Sequence, residues 1–150
     1  MTAPATPKPR FDQFLRHDAL SRLLFDYADA HPQLVRIDSI GKSHEGRDIW
    51  VAVLTNTATG PDTDKPAFWC DGNIHAAELT ASTACLYHLH HLVTGHGIHA
   101  QGTQPLGTRP VYLCPRLDPP RHDRRRPPGR GRRRRPPAPR QDPRRFATMP

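Results

Sequence analysis

The sequence predicts an α/β domain: a mixed parallel and antiparallel sheet with helices on its faces. Three observations carry that expectation. An apolar stripe of helical period runs through residues 11–30, two short alternating segments then meet at a polar glycine turn, and a strand–helix–strand succession occupies residues 66–115. Such a succession implies a parallel crossover, whereas a glycine turn between adjacent strands implies an antiparallel hairpin.

In the first element Phe14, Leu15, Leu20, Leu23, Leu24, Tyr27 and Ala28 recur near every 3.6 residues between Phe11 and Ala30. His31-Pro32 ends the helix, because the residue before proline is pushed out of the α region. Leu34, Ile37 and Ile40 mark a strand ending at Gly41, and the polar stretch Lys42-Ser43-His44-Glu45-Gly46 supplies a turn. Arg47–Thr55 is the returning strand, with Ile49, Val51 and Val53 on one face.

Residues 56–64 read as a loop. Lys65-Pro66 introduces Ala67-Phe68-Trp69-Cys70, a short apolar run of the kind expected for a strand buried on both faces. Trp50 and Trp69 are accordingly expected as core aromatics. Ala76–Val93 is predicted helical, with Leu79, Leu86, Leu89 and Val93 on the buried side, and Gly95–Gly107 is predicted to be a loop. Val111, Tyr112 and Leu113 form a last buried strand between Pro110 and Pro115.

Composition is uneven. The 150 residues carry a formal charge of +8, but twelve of the 22 basic residues and only two of the 14 acidic ones lie beyond Asp118, so residues 1–118 sit at −2. Residues 1–10 read as a disordered lead, 11–118 as the folded region, and 119–150 as an Arg/Pro-rich disordered tail that cannot repay the entropy of ordering. Cys70, Cys85 and Cys114 are widely spaced, which argues for buried free thiols rather than a disulfide framework or a thiolate metal site. Neither a membrane-length apolar run nor a secretory h-region is present, so a cytoplasmic location without membrane contact is expected.

The chemistry-bearing segment is Asp71-Gly72-Asn73-Ile74-His75-Ala76-Ala77-Glu78. His75 and Glu78 stand three apart where strand gives way to helix, a spacing at which two side chains converge. Imidazole nitrogen and carboxylate oxygen both suit Zn²⁺, and the carboxyl end of a parallel strand is where open α/β sheets bind ligands. The plainer alternative is that His75 braces the turn and Glu78 favours the positive end of the helix. His88, His90 and His91 crowd the following helix and read as solvent-side residues; the alternative is that His88 and His91 share a face and bind metal adventitiously. Arg47 reads as a partner in a structural ion pair or hydrogen bond rather than a catalytic residue.

Taken in order, Tyr27 with Pro32, Ile40-Gly41-Lys42-Ser43-His44-Glu45-Gly46-Arg47-Asp48-Ile49, Lys65-Pro66, and Gly72-Asn73-Ile74-His75-Ala76-Ala77-Glu78 resemble the zinc metallocarboxypeptidases, the carboxypeptidase A-like peptidases, over residues 11–118. The resemblance implies a zinc carboxypeptidase-like fold and hydrolysis of C-terminal peptide or related amide bonds. It also implies one zinc ion on His75 and Glu78, with a further His roughly a hundred residues downstream completing the ligand set. In the family a distant Glu activates the water held by the metal, and arginines and a tyrosine bind the substrate's carboxylate. The position before Glu78, an Arg in some members, is Ala77 here.

Residues Thr108–Leu117 resemble the strand before the family's Asn-Pro-Asp-Gly turn, but the chain continues Asp118-Pro119-Pro120-Arg121, and the resemblance stops. The expectation is therefore a truncated domain without the third ligand or the catalytic Glu, binding zinc weakly and inactive as it stands. The tail is read as the product of a shifted reading frame in a GC-rich gene. The alternative is a non-enzymatic α/β remnant whose arginine runs bind nucleic acid without sequence preference; a degraded relative with no activity is a third reading.

Overall fold

The computed structural model describes residues 4–75 and 77–117. Helix α1 spans His17–Ala30, strand β1 Val35–Lys42 and strand β2 Asp48–Leu54. Two short 3-10 turns, Thr57–Thr59 and Asp62–Asp64, fill the connection to strand β3, Phe68–Asp71. Helix α2 covers Leu79–Gly95, helix α3 Ala100–Thr108 and strand β4 Val111–Cys114.

The four strands form one mixed sheet in the order β1-β2-β4-β3. β1 and β2 make the antiparallel hairpin expected from the glycine turn, with Val35 opposite Leu54 and Ser39 opposite Trp50. Gly46, at φ 78°, supplies the left-handed step that closes it. β2 pairs antiparallel with β4, and β3 pairs parallel with β4, Phe68 standing opposite Val111. The predicted architecture is thus the observed one.

Period-2 alternation divides β2 between two layers. Ala52 and Leu54 face the main core, where they pack with Leu20, Leu24 and Tyr27 of α1, Leu86 and Leu89 of α2, Leu106 and Leu113. Val51 and Val53 face the other way, toward Cys114, Ile49 and Tyr112. Tyr27 is completely buried yet keeps its hydroxyl partnered, 2.6 Å from His90 Nδ1 on α2. Trp50 packs on the main core and donates its indole N–H to Ser21 Oγ at 3.0 Å.

Four sequence expectations are corrected. α1 starts at His17 rather than Phe11; Phe14 lies outside it and is exposed, while Phe11 and Leu15 pack against the core without being helical. α2 starts at Leu79 rather than Ala76, with Glu78 at its N-cap. The segment read as a loop over 95–107 contains α3, a helix despite its internal Pro105, since fully buried Leu106 anchors it and Asn56 N–H and Thr55 Oγ1 both donate to Leu106 O. Finally, among the described residues β3 is an edge strand rather than one buried on both faces. Phe68 and Trp69 remain 54% and 48% exposed, because β4 inserts between β2 and β3 and takes the central place.

Residues 4–10 of the predicted lead have no helix or strand, and Thr6 Oγ1 lies 2.8 Å from His31 Nε2. The tail 119–150, with its reading-frame and nucleic-acid interpretations, lies outside the described residues. No described helix is long and apolar enough to cross a membrane.

Candidate metal centre

The turn that carries the predicted ligands is built from both neighbouring strands. β3 ends at Asp71, and the chain continues alongside residues 114–117: Gly72 N–H donates to Cys114 O at 2.9 Å, and Leu117 N–H donates to Gly72 O at 3.1 Å. Gly72 is required here because a Cβ would lie 2.8 Å from Ala81 O and 3.1 Å from Cys85 Sγ of α2. Asn73 then takes the left-handed conformation, φ 56°, the region that asparagine tolerates best after glycine. Its side chain is almost wholly buried; Nδ2 donates to His75 O, and Oδ1 accepts from Ser82 Oγ at 3.4 Å. This brace folds the chain back so that His75 and Glu78 meet just ahead of α2.

His75 Nδ1 lies 2.9 Å from Glu78 Oε1, and His75 N–H donates to Glu78 Oε2 at 3.3 Å. Both side chains are open to solvent, with 77% and 51% of their surface exposed. The Glu78 carboxyl is held below its usual range, first by the His75 imidazole and second by the His75 backbone N–H. Glu78 also occupies the N-cap of α2, where the positive end of the helix favours a carboxylate. The same contacts therefore brace the turn and bring one nitrogen and one oxygen donor together.

The pair fits part of a zinc site. Metal–nitrogen and metal–oxygen distances are about 2.0–2.2 Å, so donors 2.9 Å apart can both reach one ion. Among the described residues no group of three or more His, Cys, Asp or Glu is placed to hold a metal. His88 and His91 do not supply such a group: His88 is half-buried and His91 stacks on Tyr87, ring centroids 6.2 Å apart, while His90 is engaged with Tyr27. Two clefts of about 340 and 450 Å³ flank Pro32 and Leu34, and neither includes His75 or Glu78.

Arg47 makes the expected ion pair, 3.3 Å from Glu45. The three cysteines are free; Cys85 and Cys114 are buried, but Cys70 is only half-buried because its strand is at the edge. Sequence patterning missed Asp62, whose carboxylate is 11% exposed and accepts from Arg36 at 3.1 Å and from Tyr112 Oη at 2.7 Å. Arg36 first, then Tyr112, holds the Asp62 carboxyl down at about 2. Its partners lie 26 and 50 residues away, so no local spacing could have announced them.

A family model described as zinc carboxypeptidase matches residues 20–120. The chain is 31% identical over 90 residues to a zinc carboxypeptidase of Saccharothrix mutabilis subsp. capreolus, covering 59% of this chain and 20% of that protein. It is 30% identical over 93 residues to human carboxypeptidase D, covering 62% of this chain and 7% of that one. The crystal structure of carboxypeptidase A from Helicoverpa armigera superimposes with a TM-score of 0.64 at 24% identity, over 73% of this chain and 26% of that structure. The chain thus spans a fifth or less of these two sequence relatives, and over that span the hairpin, the parallel β3–β4 pair and the turn between β3 and α2 all fall within the matched residues. It belongs to the zinc carboxypeptidase family.

Proposed function

We propose that this chain contributes two zinc ligands, His75 and Glu78, to a zinc-dependent carboxypeptidase acting on peptide or related amide C-termini. The observation that carries the reading is the 2.9 Å pairing of His75 Nδ1 with Glu78 Oε1 at the carboxyl end of a parallel strand, inside the residues the family model matches. A bound zinc ion supplies Lewis-acid polarisation of a carbonyl and a nucleophile at neutral pH. The protein's own part is positional. Asn73 and Gly72 fix the turn against α2 and residues 114–117, the His75 contact orients Glu78 and favours its ionised form, and the exposure of both side chains leaves the donors open to an ion and a substrate.

The described residues bring no third ligand to this pair. The chain alone is therefore expected to bind zinc weakly and to release no C-terminal residues. Zinc titration against a competing chelator tests the first part: binding should be weak and disappear in both His75→Ala and Glu78→Ala, with unchanged circular dichroism. A tight one-to-one site surviving His75→Ala refutes the assignment. The second part is tested with the gene read past codon 117 in its neighbouring frames. A longer product that regains a downstream His and Glu should release C-terminal residues in a chelator-sensitive way, and Glu78→Ala should abolish this. An inert longer product that binds zinc without these two residues would overturn the reading.

A further inference from the structure

The turn bearing His75 and Glu78 is flanked by two thiols that the metal reading does not use. Cys70 lies on β3 and Cys85 on α2, one on each side of the turn. Cys70 and Gly72 are two apart along the extended chain, so both are directed to the side of the sheet that α2 covers. At Gly72 strand and helix are in direct contact, a Cβ there falling 3.1 Å from Cys85 Sγ. Cys70 packs against the core cluster that contains Cys85, and it stands opposite Leu113 of β4, a member of that same cluster. The third thiol belongs to the other layer, where Cys114 is fully buried with Val51 and Val53.

We propose that Cys70 and Cys85 form a reversible disulfide, a redox clip tying the edge strand to α2 across the turn, with a small-molecule disulfide such as oxidised glutathione as the oxidant. The asymmetry of exposure sets the order of events. Half-buried Cys70 is the thiol that solvent reaches, whereas Cys85 is 4% exposed. The Cys70 thiolate attacks one sulfur of oxidised glutathione; a Cys70–glutathione mixed disulfide forms and one glutathione thiolate leaves. The Cys85 thiolate then attacks the Cys70 sulfur, the protein disulfide forms and the second glutathione leaves. Two protons pass to solvent, and the two electrons end on the two released glutathione sulfurs. Burial pushes the Cys85 thiol up to about 12, so the closing step is slow at neutral pH and accelerates as its thiolate fraction grows.

The test uses the whole chain, incubated with oxidised glutathione at pH 7 and pH 8, quenched with an alkylating agent and mapped by peptide mass spectrometry. A Cys70–Cys85 cross-link is expected, with Cys114 alkylated, and with closure about tenfold faster at the higher pH. Cys85→Ala should keep glutathione on Cys70, while Cys114→Ala should leave the cross-link unchanged. Retention of the mixed disulfide on Cys70 in the unaltered chain, a Cys70–Cys114 link, or three alkylated thiols at pH 8 overturns the proposal. None of these outcomes depends on zinc, so the clip and the metal reading fail separately.

Discussion

The two edges of the sheet are finished differently. β1 presents Arg36, which pairs with Asp38 and Asp62, and Lys42, which pairs with Asp48, and its register is broken by an irregularity between Ser39 and Lys42. Charge and irregularity are the usual devices that stop an edge from recruiting another strand. β3 carries a charge only at its last residue, Asp71: four residues long, it exposes Phe68 and Trp69, with Ile74 also 57% exposed in the turn beyond it. An edge suited to water closes one side of the sheet, and an apolar edge leaves the other side open next to the candidate ligands. Stability and chemistry are therefore segregated, the first around the β1–β2–β4 core, the second at the β3 end.

The largest effect should come from the shared centre of the two halves. Leu113 is fully buried on β4 between β2 and β3, and Leu113→Ala should cost about 3 kcal/mol or more by denaturant unfolding, the usual range for a buried leucine whose cavity cannot collapse. A loss near zero would mean that the sheet's centre is not packed as described. Gly72→Ala comes next, at about 2 kcal/mol, since the added methyl meets backbone atoms of Ala81 that cannot step aside; an unchanged melting curve would remove the close strand–helix approach on which the turn geometry rests.

Acid should weaken the β1 side by a smaller amount. The Asp62 carboxyl stands at about 2 in the fold against roughly 3.9 in an unfolded chain, so its contribution is complete above about pH 5 and is lost as pH falls toward 2. With Arg36 half exposed and screened by solvent, that contribution is about 1 kcal/mol, and it should vanish from the pH profile of Asp62→Asn. An identical acid limb in that variant would show that other carboxylates carry it. The smallest change in stability is expected at the open edge. Trp69→Lys should alter unfolding free energy by only about 0.5 kcal/mol yet reduce aggregation measured by light scattering, because it puts a charge in the middle of the exposed apolar stretch of β3. Equal aggregation in both forms would show that β3 is not the sticky edge.

Local rules served well where local physics dominates. His31-Pro32 had to end α1, Gly46 had to close a turn, and Ile49, Val51 and Val53 had to share a face because the strand period is two. They failed where a distant partner decides. α3 forms around Pro105 because Leu106 is buried and its carbonyl is taken up by Thr55 and Asn56 about fifty residues away. Trp69 is exposed because sheet order, not composition, determines whether an apolar strand is central.

For the candidate site, the sequence alone supplied the donor types and their three-residue spacing at a strand-to-helix junction, since both are written in contiguous residues. The tertiary structure decided the rest. Only the packing of Gly72 on Ala81 and of residues 114–117 beside the turn, with buried Asn73 reaching both His75 and Ser82, turns that spacing into two donors 2.9 Å apart. The physical reason is that a spacing limits where two side chains can go, whereas their meeting point is fixed by backbone atoms from three separate stretches of chain.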